Sequence, residues 1–106
     1  MPHILHNGQL LPDSAGVPVQ NRGFLFADGI FETIRIAYGQ PLFLEDHHQR
    51  IREGLKAHRI HAPLGFTPAS IREDIKTLLE AEGITGGARV RITLTRSGAG
   101  FYTPED

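Results

Sequence analysis

The alternation of apolar and polar residues changes period several times along this chain, and each change marks an element. Residues 3–6 (HILH) and 9–11 (QLL) are short apolar runs around Asn7-Gly8. Asn-Gly between such runs predicts a β-hairpin, because both central positions of a type I′ turn need positive φ. Pro12 to Gly16 reads as a loop and Val17-Pro18-Val19 as an extended segment, which Pro18 bars from a central strand. Arg22-Gly23 and Asp28-Gly29 punctuate the approach to the next run. There Ile30, Glu32, Ile34 and Ile36 alternate with Phe31, Thr33, Arg35 and Ala37, the period of a strand. The first of those faces is apolar apart from Glu32. Tyr38-Gly39-Gln40 predicts a turn, and Pro41-Leu42-Phe43 a short returning strand.

The period then becomes helical. Leu44, His48, Ile51, Leu55 and His58 form one stripe, predicting a helix from Leu44 to about Arg59. Glu45 and Asp46 sit in its first turn and complement the dipole. His47, Arg50 and Gly54 lie three and four apart on a neighbouring face. A glycine inside a helix costs about 1 kcal/mol relative to alanine. Gly54 therefore predicts something approaching the helix closely, and His47 and Gly54 around Arg50 suggest a groove for a bound group. His48 and His58 are expected to border the core. Thr67-Pro68 is an N-cap followed by proline at the first helical position. The second helix is expected to run to about Glu82, with Ile71, Ile75, Leu78 and Leu79 inward and Gly83 as its stop. Val90, Ile92 and Leu94 alternate with Arg91, Thr93 and Thr95 in a strand from Ala88 to Arg96. Ser97 to Gly100 reads as a flexible loop, and the chain ends FYTPED without a closing element, as a fragment would. Strands, two helices and a strand predict an α+β domain: an antiparallel sheet with both helices on one face.

With 106 residues this is one domain. A net charge of −1 gives no electrostatic reason to expect nucleic acid or an anionic membrane as a partner. No apolar run approaches 18 residues and no signal-peptide pattern is present, which predicts a cytoplasmic protein. There is no cysteine, hence neither a disulfide framework nor a thiolate metal site. Six histidines without an H-E-x-x-H pattern do not predict a metal.

Two residues stand out chemically. Arg50 offers a rigid fork of donors that matches an oxyanion bidentately. Glu32, on an isoleucine face, must be paired or lie at the sheet margin. Arg35 is on the opposite face, so Arg91 or Arg22 is the expected partner. Phe31 reads either as core or as a residue lining a pocket.

The ordered series R-G-F-x-F-x-D-G-x-F-E-T-x-R over Arg22 to Arg35, a glycine turn, then D-H-x-x-R-I over Asp46 to Ile51, resembles one family. It looks like the N-terminal domain of the class IV, or fold-type IV, pyridoxal-phosphate aminotransferases. These include branched-chain aminotransferases, D-amino-acid aminotransferases and aminodeoxychorismate lyases. The resemblance covers essentially residues 1–106, and it implies pyridoxal 5′-phosphate as cofactor. It implies that Arg50 grips the cofactor phosphate and that Phe31 lies beside the bound amino acid. D-amino-acid aminotransferases usually carry tyrosine at that position; the other two groups usually carry phenylalanine, as here. Arg96 to Tyr102 resembles the T/S-R-G-x-G loop, which reaches an active site, often the dimer partner's, and helps bind the substrate carboxylate. Arg96 and Tyr102 are therefore substrate-binding candidates, and a homodimer is implied. The Schiff-base lysine of the family lies in a second domain downstream. Lys56 and Lys76 match no family lysine, so this chain alone is expected to be inactive. The implied function is amino transfer between an amino acid and a 2-oxo acid. The alternatives are the lyase, or a non-catalytic α+β binding or dimerisation module.

Overall fold

The computed structural model of the chain describes residues 3–6, 9–12, 29–95 and 100–105. Strand β1 (His3–His6) pairs antiparallel with β2 (Gln9–Pro12). The long strand β3 (Gly29–Ala37) turns at Tyr38-Gly39 into the two-residue β4 (Gln40–Pro41). Both turn residues have positive φ, as a type I′ hairpin requires. Helices α1 (Leu44–Ala57) and α2 (Pro68–Glu82) follow, then β5 (Ala88–Thr95) and β6 (Gly100–Glu105). All six strands form one sheet in the order β2-β1-β6-β5-β3-β4. Both helices share its one hydrophobic core, so the α+β expectation holds.

The sheet register makes that core. Ile34 faces Val90 across β3 and β5, Ile36 faces Ala88, and Ile30 faces Leu94. Leu5, Ile34, Ile36, Val90, Ile92 and Leu94 on the sheet pack with Leu44, Ile51 and Leu55 of α1 and Ile71, Ile75, Leu78 and Leu79 of α2. Each fully buried side chain of this size contributes about 1.5–3 kcal/mol. The α2 boundaries are those expected. Thr67 Oγ1 accepts from the Ser70 backbone N–H at 3.1 Å, and Ser70 Oγ accepts from the Thr67 N–H at 2.9 Å, a reciprocal cap. Gly83 closes the helix in the left-handed region.

Several expectations are corrected. Leu42 and Phe43 form a turn and only Gln40–Pro41 is a strand, because Phe43 adopts φ 56° to start α1. Helix α1 stops at Ala57, since Arg59 is also left-handed. Its buried stripe is Leu44, His47, Ile51 and Leu55, one residue out of phase with the expected stripe at position 48. His58 is exposed, whereas His48 is half-buried, its Nε2 3.1 Å from the Phe66 carbonyl oxygen. The tail does carry a closing element. β6 lies inside the sheet, paired with β5 along its length and with β1 at Leu5↔Tyr102 and His6↔Phe101. Its own alternation was hidden by Gly100 and Pro104. The turn at Asn7-Gly8, the loop from Asp13 and the segment Val17-Pro18-Val19 lie outside the described residues.

Candidate functional site

Glu32 lies on the helix-facing side of β3, with Ile92 opposite it on β5. A carboxylate on that apolar face has to be neutralised. Helix α1 supplies the means. His47 falls on its sheet-facing stripe and Arg50 one turn further on the same side. One oxygen of Glu32, Oε1, receives all of their contacts: His47 Nδ1 at 2.8 Å, Arg50 Nε at 2.8 Å and Arg50 Nη2 at 2.6 Å. Arg50 and His47 are therefore the partners of Glu32. Arg91 is not one of them, and Arg22 lies outside the described residues.

Nδ1 of His47 is also 2.9 Å from Arg50 Nη2. A guanidinium can only donate and a carboxylate can only accept. Nδ1 cannot serve both neighbours at once. The assignment that satisfies Glu32 puts the proton on Nδ1, donating to Oε1, with both Arg50 nitrogens donating to the same oxygen. The approach of Nη2 to Nδ1 is then proximity rather than a bond. Burial pulls the Glu32 carboxyl upward. The hydrogen bonds from His47 and Arg50, together with their charge, outweigh it and hold the group below its ordinary value.

This arrangement fixes Arg50 without enclosing it. The Arg50 side chain keeps 57% of its surface exposed, against 20% for Glu32 and 11% for His47. The described contacts use Nε and Nη2, and none of them uses Nη1. An oxyanion arriving there meets a fork already oriented by a buried carboxylate, so the donor set fits a phosphate. Gly54 has another explanation than a bound group. A Cβ there would lie 3.1 Å from Ile30 Cδ1, so the close neighbour of the helix is a side chain of β3. His47 is buried and turned toward Glu32.

Phe31 lies on the other side of the sheet and is 58% exposed, so it is not core. The Arg91 guanidinium carbon stands 4.3 Å above the centre of its ring. Tyr102 occupies the rung of Ile92 and Glu32, adjacent to the rung of Phe31, Thr93 and Phe101. Arg96 lies outside the described residues. Both lysines, Lys56 and Lys76, are exposed on their helices, and Arg52 is exposed as well. Among the described residues no three histidines or carboxylates gather as metal ligands. Sequence reasoning placed His47 beside Arg50 but missed its bond to Glu32. The sequence pattern did not separate position 47 from 48; the stripe that the structure buries, 44, 47, 51 and 55, directs position 47 at the face that carries Glu32.

Residues 29–106 match the family model of amino-transferase class IV. The D-alanine aminotransferase of Staphylococcus haemolyticus is 31% identical over 110 residues, covering 99% of this chain and 38% of that protein. The structure of a branched-chain aminotransferase from Thermoproteus uzoniensis, with norvaline, superposes with a TM-score of 0.79 at 17% identity. It covers 98% of this chain and 40% of that one. A 4-amino-4-deoxychorismate lyase from Pseudomonas aeruginosa superposes with a TM-score of 0.71 at 23% identity, over 96% of this chain and 39% of that one. The chain thus spans about two fifths of the length of these relatives.

Proposed function

This chain belongs to the class IV amino-transferase family, and on that premise we propose that it forms one wall of a pyridoxal-phosphate site in an enzyme moving an amino group between an amino acid and a 2-oxo acid. In this reading residues 1–106 are the N-terminal domain, and a second domain supplies the lysine that carries the cofactor. The same reading makes the enzyme a cytoplasmic homodimer. Among the described residues no helix is long and apolar enough to cross a membrane.

The observation that carries the proposal is the exposed fork of Arg50, held from beneath by Glu32 and His47. Arg50 would bind the cofactor phosphate through its outward edge. Glu32 and His47 would orient Arg50 and keep water from its inner edge. Phe31, on the exposed side of the sheet, would pack against the substrate, with Arg96 and Tyr102 as further contacts to it. Bound pyridoxal phosphate supplies the electron sink for the chemistry at the amino-bearing carbon.

The test is the dissociation constant for pyridoxal phosphate in the full-length protein. Losing a charged hydrogen-bond partner costs about 1.5–3 kcal/mol, so Arg50→Ala should weaken binding about tenfold to a hundredfold. Arg50→Lys should recover part of that, since an ammonium cannot reproduce the fork. Arg52→Ala should be neutral. If Arg50→Ala leaves the constant within twofold while Arg52→Ala raises it sharply, the phosphate belongs elsewhere. Borohydride reduction of this 106-residue chain with the cofactor should leave no stoichiometric pyridoxyl adduct on Lys56 or Lys76.

A further inference from the structure

The way α1 ends builds a cleft on the flank of the helix away from Arg50. The chain leaves the helix through a Schellman-type turn. Arg59, in the left-handed region at φ 56°, donates its N–H to the Lys56 carbonyl oxygen at 3.1 Å. Ile60 donates to the Leu55 carbonyl oxygen at 2.8 Å, and both of these side chains belong to the core. The turn returns the chain beside the helix. Arg52, Glu53 and Lys56 of α1 and Ile60, His61 and Ala62 after it line a cleft of about 430 Å³. That volume suits a small molecule.

The charges in the cleft are unevenly matched. Arg52 and Lys56 are exposed and one turn apart, so their side chains are neighbours. Among the described residues neither makes an ion pair. Glu53 lies between them in sequence, but its Oε1 accepts from Gln49 Nε2 at 3.1 Å, one turn toward the helix N-terminus. Lys56 lies toward the other end, so the carboxylate is drawn away from it. Two cations against one carboxylate leave a single positive charge uncompensated.

That balance selects a ligand. A monoanion neutralises the cleft, whereas a phosphate dianion would bring excess negative charge up to Glu53. A planar carboxylate can give one oxygen to the Arg52 fork and the other to the Lys56 ammonium. Ile60 and Ala62 supply an apolar wall that a hydrocarbon body gains by covering. We propose that this cleft binds a small monocarboxylate with a hydrocarbon body. The site is separate from the one around Arg50, because residues two apart on a helix project about 200° apart. Nor does it depend on the amino-transfer reading.

The test adds octanoate to the full-length protein with pyridoxal phosphate bound, at constant ionic strength and about pH 8, where a phosphate is a dianion. The methyl resonances of Ile60 and Ala62 are followed by NMR, and both should shift saturably. Arg52→Gln and Lys56→Gln should each weaken binding roughly twofold to fivefold, as exposed charge pairs do, and about tenfold together. Inorganic phosphate should shift these methyls much less in the parent. Glu53→Gln removes the opposing charge, so it should tighten octanoate and admit phosphate. A linear response, a double variant that binds octanoate as the parent does, phosphate binding equal to octanoate in the parent, or a Glu53→Gln variant that still rejects phosphate would each overturn the assignment. The double variant should keep its affinity for pyridoxal phosphate. If it loses that affinity, the cleft is part of the cofactor site and the proposal fails. If instead Arg50→Ala leaves cofactor binding intact while octanoate still saturates Ile60 and Ala62, the phosphate reading of Arg50 fails and this one stands.

Discussion

Glu32 Oε1 sits 2.8 Å from Arg50 Nε and 2.6 Å from Arg50 Nη2, so a single carboxylate oxygen on β3 sets the direction of the most exposed cation on α1's sheet-facing side. The partners are 18 residues apart in the chain, and the bond joins helix to strand.

That bond predicts an acid-sensitive contribution to stability. Folding lowers the Glu32 pKa from its ordinary value of 4.5. The stabilisation is therefore fully present above 4.5 and is lost as pH falls through the lower folded-state value. Glu32→Gln should destabilise the chain by about 1–2 kcal/mol at neutral pH, in the range for hydrogen bonds to charged groups. The gap between parent and variant should close below the carboxylate range. Urea unfolding at pH 7 and near pH 2.5 reads both values, and a gap that persists in acid would show that the charge is not what stabilises.

The proton on His47 Nδ1 is a second expectation. Nitrogen-15 spectra should show a proton on Nδ1, hydrogen-bonded to Glu32. His47→Asn places a donor near the Nδ1 position and should retain more stability than His47→Gln, whose amide reaches further. Equal losses in the two variants would mean that Nδ1 does not donate to Glu32.

Two glycines should respond oppositely to alanine. At Gly29 a Cβ would sit 2.5 Å from the Leu94 carbonyl oxygen, a backbone atom that cannot retreat. Gly29→Ala should cost about 1–3 kcal/mol, as overpacking does. At Gly54 the obstacle is the far end of the Ile30 side chain at 3.1 Å, which can rotate away. The helix gains about 1 kcal/mol of propensity in exchange. Gly54→Ala should be neutral or stabilising in thermal unfolding, and Ile30→Val should increase the gain. A loss of several kcal/mol from Gly54→Ala would mean that this contact is rigid.

The reciprocal cap of α2 gives a further measurement. Thr67→Ala should lower stability by about 0.5–2 kcal/mol, and Thr67→Asp should restore most of it. If Thr67→Asp is as damaging as Thr67→Ala, the side-chain acceptor at this position is not what matters.

These residues also show how far the sequence could be read. Period-two runs at 30–37 and 88–95 are unbroken, and both strands are found where they were expected. Thr67-Pro68 and Gly83 bound α2 correctly because each acts through local backbone geometry. The stripe of α1 was harder. His47 and His48 are adjacent and chemically identical, and only the tertiary partner, Glu32, decides which turns inward. Phe31 was ambiguous for a related reason, since alternation gives a face but does not say which face the helices cover. β6 was missed because its Gly100 and Pro104 are residues that local rules exclude from strands, whereas its pairing comes from β1 and β5, both distant in sequence. The Glu32 pairing needed the helix to be laid on the sheet, and no spacing within either element contains that step.

The place of β6 has a consequence for biosynthesis. Strands β1 and β2 are made before the rest of the sheet, yet their bridge to it runs through residues 101–102, made after β3, β4 and β5. Until they emerge, Leu5 lacks the sheet edge beside it, although it is almost completely buried in the finished fold. Closing a sheet across so long a sequence separation is slow, and an unpaired apolar edge is exposed while it waits. The nascent protein is therefore one whose β1 must stay out of reach of other chains until β6 arrives.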